Sequence, residues 1–195
     1  MGVGRLRKAA AALLLLIAPL GAAAQTESAE GQRQILREAG IAFPERLGSF
    51  RLLGTSSVQA GRVGAQYGGP GDAIADIFIS RVAQPLESEF ASTEAMIGQV
   101  FANLRPVRDL AAPTSAPGAR GRLWTGESGG RPAYTAMMLW HRGGWRIKMR
   151  VTVDASAGEA GIAEIERFIH AFDWSGEGRP QARNQNRHLN VRLAA

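Results

Sequence analysis

The sequence predicts an α+β domain: a mainly antiparallel sheet of about six strands covered by helices, an α/β/α sandwich in the order β-β-β-α-β-β-β-α. Three observations lead there. Segments of period two are joined by glycine turns too short for crossover connections. Two other segments switch to a three- and four-residue period. One strand, 133–141, is apolar on both faces (Tyr134, Ala136, Met138, Trp140 and Thr135, Met137, Leu139), as a strand covered on both sides requires.

The chain opens with Arg5, Arg7 and Lys8, then an apolar run from Ala9 to Leu20, then Pro19, Gly21 and the small residues Ala22-Ala23-Ala24. These are the parts of a secretory signal in order, predicting cleavage near Ala24 and a periplasmic or secreted mature protein. Spanning a bilayer takes roughly 20 apolar residues, and this run is shorter. Residues 25–42 read as a mobile N-terminal segment with a short helix over Gln32–Ala39, where Ile35 and Leu36 are the strong apolar residues. A single globular domain is expected over 43–174. Its first strands are Ser49–Val58, Arg62–Tyr67 and, after the turn Gly68-Gly69-Pro70-Gly71-Asp72, Ala73–Val82. On the last of these, Ala75, Ile77, Ile79 and Arg81 form the more apolar face, which predicts the core side.

Leu86–Leu104 reads as a helix, with Phe90, Thr93, Ile97, Val100, Phe101 and Leu104 on one side and Pro85 and Pro106 as punctuation. Residues 109–119 read as an aperiodic connector. Strands Arg120–Glu127, Ala133–His141 and Trp145–Asp154 follow, turned at Ser128-Gly129-Gly130 and Arg142-Gly143-Gly144. The final helix, Gly158–Phe172, gathers Ile162, Ile165, Phe168, Ile169 and Phe172 on one face. Residues 175–195 read as a disordered basic tail.

Charge and cysteine content narrow the classes. Three of the 23 basic residues and none of the 17 acidic ones precede residue 25, so the formal +6 falls to +3 after cleavage. Arg179, Arg183, Arg187 and Arg192 against Glu177 account for that remainder, so residues 25–174 are neutral overall. A neutral body lacks the electrostatic footprint of a nucleic-acid binder. The absence of cysteine excludes thiol nucleophiles, thiolate metal sites and disulfides.

The blocks FPERLGSFRLLG, GRVGAQYGGPGDAIADIFISR and GWRIKMRVTVD…IAEIERFIHAFD, with the helix between, resemble the PsbP-like α/β/α sandwich proteins over about residues 43–174. The resemblance lies in element order and apolar pattern. It implies a central antiparallel sheet with helices on both faces, and exported, largely non-catalytic binding or assembly proteins. No functional residue of that family matches a position here.

The motifs that carry chemistry are few. Gly126-Glu127-Ser128-Gly129-Gly130 fits G-x-S-x-G, but it leads into another strand and not into the helix a nucleophile elbow needs. His141, His170 and His188 are too far apart for a zinc motif, and no cofactor or metal is expected. Glu87/Glu89 and Glu164/Glu166 are two apart on helices and read as solvated charges. A two-residue Gly143-Gly144 turn pairs Arg142 with Trp145, His141 with Arg146, Leu139 with Lys148 and Met137 with Arg150. Trp145, Ile147, Met149, Val151 and Val153 then face the core. Arg146, Lys148 and Arg150 form a basic stripe on the other face with His141 beside it. This stripe reads either as an anion- or partner-binding surface or as a soluble outer strand.

The expectation is an exported non-enzymatic binding or assembly module of the cell envelope. Its partner would be an unidentified protein or acidic envelope component, with weak contact to an anionic membrane surface and none to nucleic acid. The alternative is a hydrolase whose site is assembled from distant residues such as His141, Asp76 and Glu127. A deep pocket holding several ionisable groups would favour the enzyme, and a flat groove the module.

Overall fold

A computed structural model describes residues 22–59 and 61–175. Residues 1–21, most of the expected signal segment, and the expected tail beyond residue 175 lie outside the described residues. Among the described residues eight strands form one fully antiparallel sheet in the order β1-β2-β3-β4-β8-β7-β6-β5. They are β1 (Arg46–Leu47), β2 (Phe50–Gln59), β3 (Arg62–Gly68), β4 (Ile74–Arg81), β5 (Ala102–Leu110), β6 (Arg120–Ser128), β7 (Arg131–Arg142) and β8 (Trp145–Asp154). The helices are α1 (Ala22–Ala39), α2 (Leu86–Val100) and α3 (Gly158–Ala171).

Strand alternation divides the apolar residues between two cores. Ala75, Ile77 and Ile79 of β4 join Ile147, Met149 and Val151 of β8 on one face. There α3 adds Ile162, Ile165, Phe168 and Ile169, while Ile35, Leu36 and Ala39 of α1 pack against the same cluster. Trp174, fully buried, closes this core: its indole donates to the Ile169 carbonyl at 2.7 Å, and its ring meets Trp140 and Phe172 edge-on. On the opposite face a smaller core joins Phe90, Ile97 and Phe101 to Trp124, Met137 and Leu139.

The connection from β4 to β5 explains why the second core is small. β4 ends in the middle of the sheet and β5 begins at its far edge. The chain must cross β8, β7 and β6, and α2 makes that crossing. It therefore covers only the β5–β7 side of its face. Both other helices lie on the opposite face, so among the described residues no helix covers the α2-side face of β2–β4 and the adjoining part of β8.

Several expectations are corrected here. The sheet has eight strands, not about six. Helix 86–104 stops at Val100, which is half exposed, and Leu104 lies in β5. This edge strand takes in the end of the predicted helix (102–104), residues 105–108 and the first two residues of the predicted connector. It tolerates Pro106 because an edge has ladder positions without partners. Its register against β6 slips twice, between Ala102 and Arg105 and between Pro106 and Arg108. Asn103 in the first slip has φ 53, a bulge conformation that asparagine accepts more readily than most residues. The N-terminal helix is longer than Gln32–Ala39, running continuously from Ala22. β8 is an interior strand between β4 and β7, so the reading of the basic stripe as an outer strand fails.

Candidate binding surface

The Gly143-Gly144 hairpin has the two-residue register its glycines predict, with His141 opposite Arg146 and Leu139 opposite Lys148. Both glycines have positive φ, as this turn type requires. Arg146, Lys148 and Arg150 therefore share the α2-side face. They do not form one exposed row, because the neighbouring elements treat each of them differently.

Arg146 is 8% exposed and lies beneath α2, where its Nη1 donates to Glu89 Oε1. Glu89 is 4% exposed, so it is not the solvated helix charge that its spacing from Glu87 suggests. It stands in the first turn of α2, where the helix dipole favours a carboxylate, and Gln84 Nε2 reaches its other oxygen at 3.4 Å. Around this ion pair, Ser80 Oγ, Thr93 Oγ1, His141 Nε2 and Arg146 Nε are buried without a hydrogen-bond partner among the described residues. Ser80 and His141 flank Arg146 on the adjacent strands. Burial lowers the His141 pKa, with Glu89 opposing the shift and Arg146 adding to it.

Arg150 is anchored differently. Its Nη2 donates to Asp76 Oδ2 at 3.0 Å, and Gln66 Nε2 donates to Asp76 Oδ1 at 3.1 Å. Lys148, between the two arginines, contacts no carboxylate among the described residues. It is half-buried, with its ammonium 5.8 Å from the centre of the Phe78 ring. Phe78 lies over Gly64, where a Cβ would come within 3.2 Å of the ring. Burial, followed by Arg146, pushes the Lys148 amine down to about 8. Arg62, one strand beyond Phe78, is likewise half-buried without a carboxylate contact among the described residues, and its charge also bears on Lys148.

The open half of the sheet is thus a shallow face with a glycine-and-phenylalanine floor. Lys148 and Arg62 lie at one end, the Gln66–Asp76–Arg150 network in the middle, and the exposed Leu53 and Ile74 at the other end. Leu53 is 60% exposed and rests against Gly68. Sequence reasoning missed Arg62, Phe78 and Glu89. A signal existed for each: Arg62-Gly64-Gln66 and Asp76-Phe78-Ser80 alternate in phase on paired strands, and Glu89 shares the α2 stripe with Thr93 and Ile97.

The residues suggested for a hydrolase are not brought together. Asp76 lies level with Met137 on β7, four residues from His141, or roughly 13 Å along the strand. Glu127 lies level with Pro132, nine residues from His141 and roughly 30 Å away, and accepts a hydrogen bond from Asn103. A cavity of about 90 Å³ on the other face, lined by residues including Leu110, Met138, Glu166 and His170, is well below the size of ordinary ligand pockets. Among the described residues no three potential metal ligands cluster, and no helix is long and apolar enough to cross a membrane.

No family model matches this chain, and no curated protein does. Among solved structures, a Pseudomonas aeruginosa protein of unknown function is similar at 12% identity and a TM-score of 0.42, over 63% of this chain and 95% of that one.

Proposed function

We propose that this protein is an exported, non-enzymatic binding module of the cell envelope that holds an acidic segment of a partner protein against the open half of its sheet. The observation that carries the reading is the pair Lys148 and Arg62, two half-buried cations without carboxylate contacts among the described residues, beside the half-buried Phe78 on a sheet face that no described helix covers. Arg146 and Arg150 contribute field there while their own charges are compensated by Glu89 and Asp76. The signal-like first 24 residues and the PsbP-like pattern of the sequence support the envelope setting.

A face of this kind favours electrostatic recognition, with weak affinity and steep salt dependence. The test is titration of the mature protein with a glutamate-rich synthetic peptide and its glutamine counterpart at low and high salt, read by NMR shifts. Binding of the acidic peptide alone, with shifts centred on Phe78 and Lys148 and lost in the R62Q/K148Q double variant, supports the reading. Binding to anionic phosphatidylglycerol vesicles without peptide binding would replace the protein partner with a membrane surface. Equal response to both peptides would remove the electrostatic basis altogether.

A further inference from the structure

We propose that the Lys148 amine is a site of reversible carbamate formation with carbon dioxide, the carbamate being held by the neighbouring guanidinium groups of Arg62 and Arg150. The inference does not rest on the docking reading, and either can fail without the other. Its basis is the placement of one amine. Lys148 is the single lysine after residue 24, set half-buried in an interior strand between Phe78 on β4 and Leu139 on β7. Three cations surround it: Arg146 and Arg150 two residues away on its own strand, and Arg62 on β3. The carboxylates within range are already committed, Glu89 to Arg146 and Asp76 to Arg150, and burial lowers the His141 pKa. Burial disfavours an ammonium here, and Arg146, Arg62 and Arg150 repel it with Glu89 opposing them, whereas an anion at the same position would gain from the guanidinium of Arg62, which has no carboxylate contact among the described residues.

That asymmetry selects the chemistry. An aldehyde would convert the amine into a neutral or cationic imine, and an acyl donor into a neutral amide, so neither product gains from the arginines. Carbon dioxide gives an anion. The amine lone pair attacks the carbon, the new C–N bond forms, and one C=O electron pair moves onto oxygen. The nitrogen then loses a proton to water. No electrons change hands, and the site passes from +1 or neutral to −1. Because the amine titrates at about 8, roughly half of it is in the reactive neutral form at that pH.

The test uses the whole mature protein in ¹³C-bicarbonate near pH 8. The carbamate carbon is observed by NMR, then trapped by alkylation with a trialkyloxonium salt and mapped by peptide mass spectrometry. The expected result is a trapped carbamate on Lys148 that is absent in K148R and from the urea-unfolded chain at the same pH. Occupancy should fall about fivefold in R62Q, a change outside both cores. Should K148R fail to fold, the R62Q and unfolded-chain comparisons still decide the matter. A Lys148 without carbamate in the folded wild type overturns the proposal, as does equal labelling in R62Q or in the unfolded chain.

Discussion

Glu89 and Arg146 illustrate how much depends on a single buried pair. Removing one partner strands the other charge in the interior, so Glu89→Ala should destabilise the fold by about 3–5 kcal/mol, measured by urea unfolding. Replacing both at once, with E89L/R146M, should recover most of that loss, because apolar residues of similar volume do not require the charge compensation. Lys148 gives a second test. Its folded-state pKa lies near 8, below the ordinary 10.5, so the folded chain releases the proton first. Stability should therefore be lower at pH 7 and rise as pH climbs through 8, by on the order of 2 kcal/mol by about pH 9.5. Lys148→Met should flatten that rise and be the more stable protein at neutral pH. The alternation of β8 made the shared face of Arg146, Lys148 and Arg150 legible in the sequence. Their separate fates were not, because they depend on α2 and β4, elements distant in the chain whose position no local pattern specifies.

Secondary structure was readable in the longer elements with one buried face, though the two-residue β1 was missed. The two glycine hairpins, the core faces of β4 and β8 and the apolar stripe of α3 all follow from period and turn chemistry. β5 was unreadable because burial imposes no pattern on it: from Ala102 to Asp109 its residues are exposed or half-exposed. Its place is set instead by close approach to β6, where a Cβ on Gly126 would lie 3.0 Å from the Ala102 carbonyl oxygen and 3.3 Å from Leu104 Cα. Gly126→Ala should push β5 outward at a cost of about 1–3 kcal/mol. Hydrogen exchange should show amides of β5 losing protection while β7 and β8 keep theirs.

At the scale of the whole molecule, coverage is decided by routing. α1 and α3 seal one face, and α2 crosses half of the other. α1 matters to the sealed face through its last turns. A chain beginning at Gln32 should melt close to one beginning at Gln25, whereas one beginning at Ile41 loses Ile35, Leu36 and Ala39 and about 3 kcal/mol. Calorimetry of the two truncations distinguishes these outcomes. The strand order carries a further consequence. Strands β1–β4 pair only with sequence neighbours among themselves, as do β5–β8, and the two sets meet along β4 and β8 alone, at the eight pairs from Ile74–Thr152 to Arg81–Trp145. In effect the single chain contains a heterodimer interface whose two partners are tethered through α2. The tether holds them at high effective concentration, so cutting it between Ala83 and Gln84 should turn a unimolecular stability into one that depends on protein concentration.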